Sequence, residues 1–256
     1  MLVSDKIRLL DRIGEGGMGT VWVAEHLTLE TQVAVKLMRA RAKEALQGSE
    51  RFRLEAKAAA RLQSPHVVRT LDYGVTEDDV PYIVMELLQG ETLAERLARE
   101  GSLALADTAT IVAHVAKALG EAHQLGIVHR DIKPSNLFLT SADDELLVKV
   151  LDFGIAKAVE QDTSVTTTGA MVGTLLYMSP EQLTDARAVS FSADLWSLAV
   201  VAYRTLTGQP PFDASTPVAM YKEMMGGRFR APSELLGGDA ADLDRWFSRA
   251  LAAEPG

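Results

Sequence analysis

Apolar and polar residues alternate in three short runs near the start of the chain, at 7–13, 20–26 and 31–38, with glycines or polar residues between them. A period of two, with Val, Ile, Trp and Thr enriched, predicts strands. The pattern changes over 44–62, where Ala, Leu, Glu and Arg dominate and no Pro or Gly follows Gly48. A helix is expected there, with Phe52, Ala56, Ala59 and Leu62 as its buried stripe. Two more strands are predicted within 66–75 and 80–88, around a polar turn at 77–79. From about residue 90 the helical period takes over, with helices at 92–99 and 103–125, a loop at 129–136 and a short apolar pair beyond it. The rest reads as mostly helical, broken by a Thr-rich loop at 162–168, and its most apolar run, 195–203, is a buried helix too short to span a bilayer. Strands first, one helix among them and helices afterwards predict an α+β chain of two lobes, 1–88 and 89–256, rather than a doubly wound parallel sheet.

Composition removes several functions. With 256 residues, 47% of them hydrophobic, the chain can bury a sizeable core. A formal charge of −9 argues against a general binder of nucleic acid or anionic membrane, while leaving room for a small anion in a local basic site. Without cysteine there is no disulfide, thiol nucleophile or cysteine-bound metal. The first residues have no apolar core of signal-peptide length, so a cytoplasmic protein without membrane contact is expected, an anchor beyond residue 256 being left open.

Four clusters carry candidate chemistry. Gly14, Gly16 and Gly19 form a G-x-G-x-x-G, which alone is equally well a hairpin turn. A dinucleotide site would need a helix to follow. Here Thr20 to Ala24 alternates like a strand, so the glycines would fold backbone amides over phosphates between two strands. In Val33-Ala34-Val35-Lys36 the lysine shares a face with a small alanine and can reach a ligand lying there, although a snorkelling edge lysine reads the same way. Glu55, beside the buried stripe of the expected helix, is its candidate partner. Residues 129–136, His-Arg-Asp-Ile-Lys-Pro-Ser-Asn, could be only a polar turn. They could also hold a carboxylate (Asp131) to orient a hydroxyl, a cation (Lys133) to neutralise a moving phosphoryl group, and an amide oxygen (Asn136) for a hard metal. Asp152-Phe153-Gly154 follows an apolar strand, so its carboxylate is delivered at a strand end.

Together these motifs, in this order and with Ser179-Pro180-Glu181 after them, resemble the eukaryotic-type (Hanks-type) serine/threonine protein kinase domain, of the kind also found in bacteria. The resemblance spans residues 14–208 and implies a bilobal protein-kinase fold. That fold has a small antiparallel β-sheet N-lobe with one key helix and a larger, mostly helical C-lobe. By similarity Gly14, Gly16 and Gly19 cover the ATP phosphates, and Val21 and Ala34 pack on adenine. Met85 is the gatekeeper, with Glu86 to Leu88 as the adenine-reading hinge. Lys36 binds the α/β-phosphates and pairs with Glu55. Asp131 is the catalytic base, Lys133 contacts the γ-phosphate, and Asn136 and Asp152 hold Mg²⁺, with Mn²⁺ as an alternative. Lys133 and Thr174 match the serine/threonine class. Arg130 implies control by a phosphorylated activation loop, with Thr166 and Thr168 the preferred acceptors over Thr163, Ser164 and Thr167. By the resemblance Asp194 bonds the catalytic-loop backbone; an ordinary helix cap is the plainer reading, and the two are compatible.

The implied function is transfer of the ATP γ-phosphate to Ser/Thr hydroxyls of proteins, with homodimerisation as one route to autophosphorylation. A pseudokinase or ATP-binding interaction module is the alternative from another class, although Lys36, Asp131, Asn136 and Asp152 are all present. A small-molecule phosphotransferase of kinase-like fold is a third, weakened by the Thr-rich loop. The family continues to an arginine that pairs with the glutamate at Glu181. Its absence leads to the expectation of a fragment of a longer kinase, with Glu181 lacking its partner and neither Arg245 nor Arg249 singled out as a substitute.

Overall fold

The period-two runs fold as strands. In the computed structural model β1 (Leu2–Ser4), β2 (Ile7–Gly16), β3 (Gly19–His26) and β4 (Thr31–Met38) follow one another antiparallel. β5 (Thr70–Val75) and β6 (Pro81–Glu86) complete a six-stranded sheet in the order β1-β2-β3-β4-β6-β5. The structure describes residues 2–16, 19–38, 61–142, 144–153, 175–184, 190–237 and 240–253. They fall into two compact units, one built from residues 1–89 with Asp152 and Phe153, the other from 90–151 and the described residues after 174. The helix expected at 44–62 lies outside the described residues except at its last two positions, where Leu62 is buried.

In the first unit Val33 and Val35 of β4 pack with Ile7, Leu9, Ala24, Tyr82 and Val84 on one side of the sheet. The intervening Ala34 and Lys36 are buried as well, each 6% exposed. β4 is therefore enclosed on both faces, and a cation sits on one of them. The glycine motif leads into β3, a strand, which rules out the helix-opening geometry of a dinucleotide site. Gly19 is required by the sheet itself: a Cβ there would stand 2.0 Å from the Leu37 carbonyl oxygen. Gly16 is different, because a Cβ on it would meet nothing within 4 Å.

The second unit begins with β7 (Glu91–Thr92), which pairs with β8 (Leu137–Ala142), itself paired with β9 (Glu145–Val150). Around this small sheet lie α1 (Leu93–Glu100), α2 (Leu105–Gln124), a 3₁₀ turn at Pro134–Asn136, α3 (Pro180–Thr184) and α4 (Phe191–Thr207), followed by α5 (Pro217–Gly226), α6 (Pro232–Leu236) and α7 (Ala241–Ala250). Thr92 and Glu95 start α1 with a reciprocal capping box. The apolar run at 195–203 is the middle of α4, and its Trp196, Val200, Tyr203 and Leu206 form a core with Phe212, Met220, Met224 and Phe247. Ala199 is buried in the same helix. Among the described residues no helix is long and apolar enough to cross a membrane.

Glu91 accepts from Arg96 Nε at 2.6 Å and is also paired with Arg99. The Arg99 guanidinium first, then Arg96, holds its carboxyl down from the ordinary 4.5 to about 2. A depressed carboxyl adds stability that is present above its unfolded value and is lost as pH falls through its folded one. The β7–α1 junction should therefore weaken between pH 4.5 and about 2. In Arg99→Ala the Glu91 carboxyl should titrate closer to 4.5, which side-chain NMR titration reads directly.

Candidate active site

The residues of 129–136 are tied to one another and to the end of β9. His129, 1% exposed, accepts from the Asp131 amide at Nδ1 (3.2 Å) and faces the Leu151 carbonyl with Nε2 (2.8 Å). A carbonyl oxygen only accepts, so Nε2 carries the hydrogen and Nδ1 is the acceptor. Asp131 Oδ2 receives Lys133 Nζ at 2.9 Å and Asn136 Nδ2 at 3.1 Å, and the same Nδ2 reaches the Asp131 carbonyl at 2.8 Å. Both of these partners are acceptors, so the amide nitrogen of Asn136 must face them. Its Oδ1 is thereby turned to the other side, where a hard cation can use it. The Asn136 carbonyl accepts from Leu151 N at 2.8 Å, which locks the loop to the last residue before Asp152. Three of the residues expected to carry chemistry, Asp131, Lys133 and Asn136, thus form one hydrogen-bonded group.

Arg130, between them, has φ +66°. A non-glycine residue there is strained by about 1–3 kcal/mol and persists only where its surroundings impose the conformation. Asp194 does so. Fully buried, it accepts from Arg130 N at Oδ1 (2.7 Å) and from His129 N at Oδ2 (2.8 Å). His123 Nε2 lies 2.8 Å from the same Oδ2, with its ring stacked on Phe191 at 4.6 Å. Of the two expectations for Asp194, the backbone clamp holds and the helix cap does not. Ser190 caps α4 by accepting from Ser192 N, and Asp194 sits a full turn inside the helix. His123 was not singled out by sequence. Its signal was weak, being one histidine near the end of an amphipathic helix. Glu181 Oε1 accepts from Ser192 Oγ at 3.2 Å, and of the two arginines weighed as its partner Arg245 pairs with Asp242.

In the first unit the buried Lys36 ammonium lies 2.7 Å from Asp152 Oδ2. Asp152 also has a left-handed backbone (φ +57°), and Phe153 behind it is 4% exposed. Sequence reasoning assigned Lys36 a different partner, Glu55, which lies outside the described residues with Thr166, Thr168 and Thr174. Strand register sets Val21 opposite Lys36, Val23 opposite Ala34, and Ala34 opposite Met85. Glu86 bonds Arg69 twice, donating its N–H to Arg69 O (3.0 Å) and accepting Arg69 N–H at Oε1 (2.8 Å). Its side chain is thus engaged, and any reading of a base at this position falls to backbone groups between Glu86 and Leu88. Gly14 and Gly16 have room where Cβ atoms would stand, 3.7 Å being the nearest approach for Gly14. Among the described residues, packing demands glycine at neither position.

No cluster of three or more His, Cys, Asp or Glu side chains is present among the described residues, so no all-protein metal cage is there. The Asn136 side-chain oxygen, in the second unit, and the Asp152 carboxylate, in the first, are each hard oxygen donors of the kind that Mg²⁺ takes.

A family model described as a protein kinase domain matches residues 7–239. The chain belongs to this family. It is 40% identical over 258 residues to the serine/threonine-protein kinase PknB of Mycobacterium leprae, covering 99% of this chain and 40% of that one. A probable serine/threonine-protein kinase of Clostridium perfringens, CPE1738, is 36% identical over 254 residues, covering 99% of this chain and 36% of the relative. The chain thus spans about two fifths of the length of the curated relatives it matches. The crystal structure of the Mycobacterium tuberculosis PknI kinase domain superposes with a TM-score of 0.75 at 29% identity, over 98% of this chain and 90% of that one. The α+β kinase fold expected from the motifs is the fold observed.

Proposed function

We propose that this domain transfers the γ-phosphoryl group of ATP to serine and threonine hydroxyls of proteins. The observation that carries the proposal is the group formed by Asp131, Lys133 and Asn136 on one carboxylate oxygen. Such a transfer asks little covalent chemistry of the protein and much positioning and charge neutralisation. Asp131 orients the attacking hydroxyl and accepts its proton late. Lys133 neutralises the migrating phosphoryl group. Residues 1–88 supply the nucleotide-covering lobe, with Gly14, Gly16 and Gly19 over the phosphates, Val21, Ala34 and Met85 around the base, and Glu86 to Leu88 presenting backbone to it. Lys36, supported by Glu55, holds the α/β-phosphates. Residues 89–256 supply the catalytic loop, and Thr174 contacts Asp131 and Lys133. Asn136 and Asp152 are the residues that would hold Mg²⁺ (or Mn²⁺), whose charge offsets that of the phosphates. The names of the relatives support the serine/threonine class. Thr166 and Thr168 are the proposed sites of activating autophosphorylation between two copies of the chain, and the work is done in the cytoplasm.

The test is intact mass after incubation with ATP and Mg²⁺. Mass should rise in steps of one phosphate, stop on chelation, and map to 163–168. No gain on the chain, and none on an added casein substrate, would overturn the proposal.

A further inference from the structure

Gln182 occupies the third position after Ser179 in Ser-Pro-Glu-Gln, at the start of α3. Its Oε1 accepts from the Ser179 amide at 2.9 Å, and its own amide faces Ser179 Oγ at 3.4 Å. This is the reciprocal arrangement of a capping box, and a capping box is served equally by Glu or Gln. The glutamine does something a glutamate cannot. Its Nε2 donates to the Arg130 carbonyl at 2.9 Å, across 52 positions of chain. The amide orientation is unambiguous, because one partner is an N–H and the other a C=O.

Arg130 is the left-handed residue immediately before Asp131, and its amide is already held by Asp194 Oδ1 at 2.7 Å. Gln182 holds the other side of the same residue. Between them the two side chains fix both peptide groups of Arg130, and so the direction in which the chain enters Asp131. Asp194 is anchored in α4, whereas Gln182 belongs to the segment that contains Ser179, itself fully buried.

We infer that Gln182 is a positioning residue for Asp131, coupling the Ser179–Gln182 turn to the catalytic loop through the Arg130 carbonyl. The inference rests on the kinase reading for its catalytic consequence but not for its structural one. Gln182→Glu separates the two arms of the side chain. A carboxylate still accepts from Ser179 N and keeps the cap, but it sets an oxygen against the Arg130 carbonyl in place of a donor.

Two measurements on the whole chain decide it. In steady-state kinetics Gln182→Glu should lower kcat by about tenfold at pH 8, the order expected when one hydrogen bond of about 1.4 kcal/mol no longer contributes. KM for ATP should stay unchanged. In amide hydrogen exchange, the segment around Arg130 and Asp131 should exchange faster in the variant at pH 8, with Tm little changed. A kcat equal to wild type, a loss confined to KM, or exchange equal to wild type would overturn the inference. The exchange experiment needs no turnover, so an inactive wild-type protein would count against the kinase reading and leave the coupling to be decided by exchange.

Discussion

Asp131→Asn should reduce phosphate transfer by about 10²–10⁴-fold, the range typical for losing a positioned general base, while the domain stays folded. The side chains have the same shape, and the anchoring bonds of the loop do not all pass through the lost charge. Asn136 Nδ2 keeps the Asp131 backbone carbonyl at 2.8 Å, and the residue 131 amide keeps His129 Nδ1 at 3.2 Å. What disappears is the anionic oxygen shared by Lys133 and Asn136. An amide at this place presents one acceptor instead of two. It cannot take the proton of an incoming hydroxyl, and Lys133 loses its counter-charge. The time course of phosphate incorporation by intact mass checks the rate, and circular dichroism with thermal melting checks the fold. A variant that transfers at more than a tenth of the wild-type rate would remove Asp131 from the role given to it.

Much of the fold was legible because the same residues that pattern the sequence also make the core. Val33 and Val35 alternate with Ala34 and Lys36, and the strand they predict is the one observed. The run 195–203 was too short for a membrane and too apolar for a surface, and it forms the middle of the buried α4. The site was legible only in part. Asp131, Lys133 and Asn136 lie close in sequence, so their meeting follows from one loop. The Lys36–Asp152 pair and the Asp194 clamp join residues far apart in the chain, and no local period encodes them. Asp194 illustrates the difficulty. Near a helix start, an aspartate reads as a cap, because caps are local and common. The family resemblance supplied the backbone clamp as an expectation, and the path of the loop after α2 shows the carboxylate consumed by two amides from elsewhere. Gln182 was hidden for a related reason, since its visible half is a capping box and its other half reaches a distant carbonyl.

Asp194→Ala should be the most damaging single change to stability, and comparison with Ser190→Ala shows why. Ser190 is the true cap of α4, so its replacement should cost about 0.5–2 kcal/mol. Asp194 is a fully buried charge with three hydrogen-bonding partners. Removing one member of such a buried set costs about 3–5 kcal/mol, because the partners remain buried and unsatisfied. Here the partners left behind are the amides of His129 and Arg130 and the His123 ring, and the left-handed conformation of Arg130 loses the restraint on its amide, keeping the Gln182 bond to its carbonyl. For a chain of this size each kcal/mol moves Tm by about 2–4 °C, so Tm should fall by roughly 6–20 °C for Asp194→Ala and by only a few degrees for Ser190→Ala. Thermal melting of both variants beside wild type makes the comparison. Equal shifts would mean that Asp194 acts only at the helix start. A larger shift at Asp194, with transfer lost even well below its Tm, would mean that the helix holds the catalytic loop in its working conformation.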